Sequence, residues 1–183
     1  MRKLLAPAIL AIVSAAGGAT IAAAADPDPV IGTWQLNVAK STFKPGPAFK
    51  SQVRTYSQSG QSIAVVIKTV HADGKETTTQ VTYQLDGKDY PVTGNPDADS
   101  NSVKQVDSNT AKFTLKKAGK VVQTGTRTVS KDGKTLTVKS KGTTAKGEKS
   151  ENVGVFGDAQ VRGARSAVST CLAAARAARA RSR

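Results

Sequence analysis

The stretch that decides the fold is Ile31-Gly32-Thr33-Trp34-Gln35-Leu36-Asn37, which holds the one tryptophan of the 183-residue chain. It opens a region in which short runs of β-branched residues alternate with turns. The run from Thr77 to Leu85 shows the period most clearly, since its apolar side chains fall on one face and its Thr and Gln side chains mostly on the other. We expect Trp34 to lie where one end of a small barrel closes.

The rest of this region predicts about nine or ten strands, at intervals of roughly 8–14 residues, with no helix between them. Asp73-Gly74, Asp86-Gly87 and Asp132-Gly133 favour tight hairpins, because the type I′ turn needs positive φ angles. Consecutive strands joined by tight turns form an antiparallel meander, and closing it removes both exposed edges. The predicted fold class is therefore all-β, an antiparallel up-and-down barrel of eight to ten strands.

Three places in this region predict less regular structure. Residues 38–43 are compatible with one helical turn or with an irregular connection. Tyr90-Pro91-Val92 predicts a short strand at an edge or a bulge, because proline lacks the backbone N–H. His71, the one histidine, is interpreted as a solvated turn residue.

The N-terminus has the pattern of a secretory signal peptide. Arg2 and Lys3 precede an apolar run over residues 4–13, and small residues end at Ala23-Ala24-Ala25. The alternative, a membrane anchor, is disfavoured because the run is shorter than the roughly 20 apolar residues that a span needs. Residues 1–25 are predicted to be cleaved, which leaves Asp26 as the mature N-terminus and a periplasmic or secreted protein.

The net charge of +14 is spread unevenly. All 13 acidic residues lie within the predicted domain, residues 26–158, whereas residues 159–183 contain arginine, alanine and serine but no acid. This segment is interpreted as a disordered tail or a short helix, and as an appendage to the domain. A weak contact with an anionic surface is the functional alternative.

The side chains that most catalytic sites need are scarce. One histidine and one cysteine, Cys171 in the tail, provide no basis for a zinc site or a Cys–His nucleophile. Cys171 is either an inert thiol or a site of intermolecular pairing, since a single cysteine forms no intramolecular disulfide. We expect no enzyme activity, no catalytic residues, no metal and no cofactor. No pattern indicates the oligomeric state.

A cluster of lysines around one hairpin raises the question of a polyanion partner. Its members are Lys112, Lys116, Lys117 and Lys120. They are interpreted as a solvated face that discourages edge pairing. Because aromatic residues do not interleave with them, we expect no specific nucleic-acid binding.

Several motifs resemble a known group of barrels. Gly32-Thr33-Trp34-Gln35-Leu36 resembles the Gly-x-Trp signature of the lipocalins and fatty-acid-binding proteins, the calycin group. The run Asp86-Gly87-Lys88-Asp89-Tyr90-Pro91-Val92-Thr93-Gly94-Asn95-Pro96 is more specific and is similar to a family of small exported bacterial lipocalin-like proteins. The chain departs from that family's ending at Phe156 and Gly157, where the unusual tail begins.

The resemblance implies a closed barrel and, by fold analogy, a small apolar or amphiphilic ligand in its interior. The residues expected to contact this ligand are Val65, Ile67, Val81, Tyr83, Phe113 and Leu115. Gly32 and Trp34 are expected to close the barrel together with a late basic residue, for which Arg127 and Lys139 are the candidates. The alternative function is a filled barrel that acts as a structural or protein-interaction module of the cell envelope, for example as an inhibitor, through its outer face or tail.

Overall fold

The structure is a computed structural model that describes residues 27–143 and 147–159. The described residues form eleven β-strands and one turn of 3-10 helix, Val38–Lys40. The strands are β1 (Gly32–Leu36), β2 (Thr42–Lys44), β3 (Ser51–Ser59), β4 (Ser62–Val70), β5 (Glu76–Tyr83), β6 (Asp86–Thr93), β7 (Ser100–Gln105), β8 (Thr110–Lys117), β9 (Lys120–Val129), β10 (Thr135–Thr143) and β11 (Lys149–Asp158). The predicted signal peptide, the tail beyond residue 159 and Cys171 lie outside the described residues.

Ten of the strands form one closed antiparallel barrel. Strands β3 to β11 pair with their neighbours in chain order, and β1 pairs with both β3 and β11. Trp34 is the point of closure, since it is the register partner of Arg54 on one side and of Asp158 on the other. The predicted all-β, closed, antiparallel barrel is confirmed.

The segment between β1 and β3 contains the helical turn that the sequence left open and a short strand that was not predicted. Asn37 caps the 3-10 turn by accepting the backbone N–H of Lys40 at 3.2 Å. The chain then forms β2, which pairs with β11 through the register Phe43 to Asn152. This short strand lies outside the ten-stranded barrel order and brings Phe43 towards one end of the barrel.

The core follows from the period of two along each strand, which places alternate side chains inside. Phe156, Ile63, Leu136, Val30 and Val129 are fully buried. Because the strands run up and down in turn, the connections alternate between the two ends. We call the end with the β4–β5, β6–β7, β8–β9 and β10–β11 connections the open end, and the other the closed end.

Strand β6 differs from its prediction. Pro91 lies within a strand of eight residues, Asp86–Thr93, and not in a short edge strand. Asp86 and Gly87 belong to the start of this strand and lie where the chain reverses from β5, with a φ of 80° at Gly87; the pairing with β7 is irregular between Asp86 and Asp89. Pairing with β5 is confined to two residue pairs, Gln80 with Thr93 and Val81 with Val92. Pro91, which lacks a backbone N–H, therefore lies in the strand whose pairing with its neighbour β5 contains the fewest residue pairs in the barrel.

In the part of the chain that the structure describes, no helix has the length and apolar character needed to cross a membrane.

Candidate functional site

The barrel encloses a cavity of about 420 Å³. Its walls come from alternate residues of nearly every strand, so the cavity is a consequence of the barrel and not of one loop. The exposed residues Pro45, Pro47 and Asp97 line it at the open end, where it reaches solvent. The buried side chains of Tyr56, Tyr83 and Arg127 line it towards the closed end.

All six side chains that the sequence predicted as ligand contacts lie on the wall of this cavity. Val65, Val81 and Tyr83 are buried, while Ile67, Phe113 and Leu115 are half-buried. They lie on β4, β5 and β8. The cavity thus has an apolar wall that a hydrocarbon group can contact.

The two residues of the Gly-x-Trp signature lie outside the cavity, at the closed end. Trp34 is 3% exposed, and its indole N–H donates to the carbonyl of Val30 at 2.7 Å. Gly32 has a φ of 136°, a backbone angle that residues with a Cβ atom rarely adopt. Glycine at this position therefore lets the chain turn into β1 from residues 27–31, which we call the lead-in segment.

Arg127 is one of the two basic candidates for closing the barrel, and it lies at the closed end. Its Nη2 and Nη1 atoms donate to Asp28 Oδ2 and Oδ1 at 2.7 and 3.2 Å, and both side chains are buried. Its guanidinium also lies 5.9 Å from the centre of the Tyr56 ring. Lys139, the other candidate, is exposed. Asp28, which was not among the predicted site residues, thus connects the lead-in segment to the barrel.

Tyr83 is buried and lines the same end of the cavity as Arg127. Burial raises the pKa of Tyr83 well above its ordinary value, although the positive charges of Arg127 and Arg54 oppose the shift. Its phenol is therefore neutral across the physiological pH range.

A polar chain on β3 and β4 interrupts the apolar wall. Gln52 Nε2 donates to the hydroxyl of Thr69 at 2.8 Å, and both residues are 6% exposed. Gln52 Oε1 in turn accepts the Nε–H of Arg54 at 2.8 Å. The guanidinium of Arg54 lies 4.8 Å from the centre of the Phe156 ring. None of these three polar residues, Gln52, Arg54 and Thr69, was among the predicted ligand contacts.

Two buried polar atoms on the cavity lining have no hydrogen-bond partner in the described structure. They are Asn101 Oδ1 and Arg127 Nε. Buried polar groups are nearly always paired, so the Asn101 carbonyl is an acceptor available to a hydroxyl or an N–H inside the cavity.

Aromatic rings surround the mouth at the open end. Phe43 and Phe49 are in edge contact with ring centres 4.9 Å apart, and Phe49 contacts His71 at 5.5 Å. His71 Nε2 also hydrogen-bonds to the hydroxyl of Thr77 at 2.9 Å. His71 begins the β4–β5 turn, since the Gly74 N–H donates to its backbone carbonyl at 3.0 Å, but its contact with Phe49 leaves it half-buried and not fully solvated.

The described residues contain no group of three or more His, Cys, Asp or Glu side chains that could hold a metal ion. Of the clustered lysines, Lys112, Lys117 and Lys120 are exposed, whereas Lys116 is half-buried and bonds Asp89 at 2.6 Å. The chemistry of the cavity is therefore that of a binding site with apolar surface, hydroxyl and amide groups, and two guanidinium groups.

Comparison with known proteins gives fold similarity alone. The sequence matches no known protein-family model, and no curated protein matches it. Among solved structures, a redesigned β-barrel, mFAP1, bound to DFHBI is 18% identical, with 70% of this chain and 94% of that chain covered at a TM-score of 0.40. Zebrafish ileal bile acid-binding protein complexed with cholic acid is 13% identical, with 71% and 98% covered at a TM-score of 0.43.

Proposed function

We propose that this chain is an exported, non-catalytic β-barrel that binds a small apolar or amphiphilic molecule in its interior. The observation that carries the proposal is the cavity of about 420 Å³ that opens at one end of the barrel. This volume falls within the range of roughly 300–1,000 Å³ that is typical of small-molecule sites. Its lining of Val, Ile, Leu and Phe side chains favours a ligand with a hydrocarbon part.

The alternative, a filled barrel that acts as an interaction module, requires a packed interior. A cavity of this size is inconsistent with that requirement, because ordinary protein cores contain few voids larger than a water molecule. The outer face of the described barrel does not indicate a protein-interaction site. Its exposed large apolar residues, Val38, Val106 and Val121, lie in different parts of the chain and form no contiguous run.

The binding proposal is tested with the neutral apolar dye Nile red, whose fluorescence rises on transfer from water to an apolar site. We expect the full chain to bind the dye with a stoichiometry of about one, as a single barrel cavity predicts. Thr79 lies on the cavity lining, so Thr79→Trp should narrow the cavity and weaken binding. Thr82 is on the same strand but exposed, so Thr82→Trp should leave binding unchanged.

Equal dye binding by the wild type and by Thr79→Trp would overturn the proposal, as would no binding by the wild type. Far-UV circular dichroism of both variants checks that the barrel still forms. Thr79→Leu is a smaller replacement that should reduce binding in the same direction if the tryptophan is not accommodated.

We propose export on the basis of the leader sequence and of the resemblance to exported lipocalin-like proteins. The test is expression of the full chain in a bacterium, followed by fractionation and intact-mass measurement. We expect a periplasmic or secreted form whose first residue is Asp26. A cytoplasmic protein that retains residues 1–25 would contradict this part of the proposal.

A further inference from the structure

The cavity contains a positive charge that no carboxylate of the described residues neutralises. Five ion pairs occur among these residues, and none of them includes Arg54. The other arginine of the described barrel, Arg127, is buried and already paired with Asp28. Asp97 is the one acidic residue on the cavity lining, and it is exposed at the mouth.

Arg54 is held in place by its neighbours within the barrel. Gln52 is oriented by its bond to Thr69, so its Oε1 atom is directed to the Nε–H of Arg54. Contact with the Phe156 ring, itself 1% exposed, positions the guanidinium carbon 4.8 Å from the ring centre. This arrangement reduces the conformational entropy that the side chain would lose on binding a ligand.

Most donors of this guanidinium remain available. An arginine side chain has five N–H donors, and within the described structure only the Nε–H of Arg54 has a protein acceptor. Arg54 lines the cavity and is half-buried. The planar pair of Nη groups matches the two oxygen atoms of a carboxylate or a phosphate.

We propose that the ligand of this barrel is an amphiphile with an oxyanion head group, carboxylate or phosphate, that is bound by Arg54. This inference rests on the proposed binding function and specifies its ligand class. The hydrocarbon part lies against the apolar wall that includes Val65 and Val81, while Gln52 and Thr69 position the arginine. A cation in a partly enclosed cavity costs free energy unless it is paired, and the head group supplies that partner.

The test compares three competitors of equal chain length for displacement of Nile red from the full chain: decanoate, decyl phosphate and decan-1-ol. We expect at least one anionic competitor to bind about 10- to 100-fold more tightly than the alcohol, the usual effect of a hydrogen bond to a charged group. The anion that shows this preference identifies the head group as carboxylate or phosphate.

Substitution of Arg54 should remove the preference. In Arg54→Leu the anionic competitor is expected to lose about 10- to 100-fold in affinity, while decan-1-ol changes by less than about threefold. Lys50 is an exposed cation near the open end that does not line the cavity. Lys50→Leu removes the same charge and should keep the preference for the anion.

The outcomes separate this inference from the function on which it rests. If Nile red does not bind the wild type, the proposed function is overturned and the inference with it. If the dye binds and the alcohol competes as well as both anions, the function stands and the inference is wrong. A preference that survives in Arg54→Leu, or that is lost equally in Lys50→Leu, also overturns it. Arg54→Gln replaces Arg54→Leu if the leucine variant does not fold.

Discussion

Asp28 and Arg127, 99 residues apart in the chain, form a buried bidentate ion pair at the closed end of the barrel. Asp28 also accepts the backbone N–H of Val30 at 2.9 Å, and its own backbone N–H donates to Gln58 at 3.1 Å. These bonds hold the lead-in segment so that Val30 is fully buried and its carbonyl reaches Trp34. The closure first attributed to Trp34 thus depends on an ion pair as well.

We expect Asp28→Asn to lower the free energy of unfolding by about 3–5 kcal/mol, because it leaves the buried guanidinium of Arg127 without a counter-charge. Urea denaturation of the full chain measures the change. The double variant Asp28→Leu/Arg127→Met should recover most of the loss, since it removes both charges together. A double variant that is less stable than Asp28→Asn would contradict this account.

Gly94 is predicted to be much less tolerant of substitution than Gly133. Their φ values, 71° and 68°, are nearly equal. A Cβ atom on Gly94 would lie 1.9 Å from the carbonyl oxygen of Thr78, whereas one on Gly133 would meet nothing within 4 Å. We expect Gly133→Ala to cost about 1 kcal/mol for its backbone angle alone, and Gly94→Ala to cost more than ~3 kcal/mol.

Thermal denaturation of both variants tests this prediction. Strands β5 and β6 are paired next to Gly94 through only two residue pairs. In Gly94→Ala the backbone N–H groups of this pairing should therefore exchange with solvent faster than in the wild type. Equal losses of stability in the two variants would contradict the prediction, because they would mean that the β5–β6 pairing shifts enough to accommodate the added methyl group.

The apolar part of the site was predictable from the sequence, because its cause is local. A strand has a side-chain period of two, and a closed barrel has one interior. Once Val81 and Tyr83 are assigned to the inner face of the barrel, the alternation assigns every other residue of that strand to the inner or the outer face. For that reason the six predicted contacts lie on one cavity wall.

The polar part was not predictable, because its causes are separated in the chain. One face of β3 carries Gln52, Arg54 and Tyr56 at the spacing expected of inward-facing residues. Because the first two are Gln and Arg, the polar pattern predicts that this face is exposed to solvent. Asp28 lies before the first strand, and nothing local indicates its partner. His71 is covered by the loop after β2, a tertiary contact that a turn motif does not report.

Tyr83 gives a prediction at alkaline pH. Burial raises the pKa of its phenol in the folded state above the usual value near 10. As the pH rises past about 10, the unfolded chain therefore releases a proton that the folded chain keeps, and stability falls by up to about 1.4 kcal/mol per pH unit. In Tyr83→Phe this contribution is absent. The difference in free energy of unfolding between wild type and variant should be constant from pH 7 to pH 9 and should shift in favour of the variant above pH 10.

Asp132 gives the opposite pH dependence. The hydroxyl of Ser130 and the backbone N–H of Lys134, which lies 3.1 Å from Oδ1, lower the pKa of this exposed carboxyl. A lowered folded-state pKa stabilises the fold above the unfolded value near 4, and this stabilisation is lost as the pH falls through the folded-state value. Asp132→Asn keeps an oxygen acceptor but does not titrate, so its stability should decline less steeply than that of the wild type between pH 5 and pH 2.

The control for Asp132 is Asp97→Asn, since Asp97 is also exposed but uses its backbone N–H, and not its carboxylate, in its turn bond to Asn95. Asp73 and Asp86, whose pKa values are lowered first of all by the backbone N–H groups of Lys75 and Lys88, should behave like Asp132. Urea titrations at each pH measure the slopes. If Asp97→Asn reduces the loss of stability between pH 5 and pH 2 as much as Asp132→Asn does, the effect comes from the net charge of the barrel and not from the geometry of these turns.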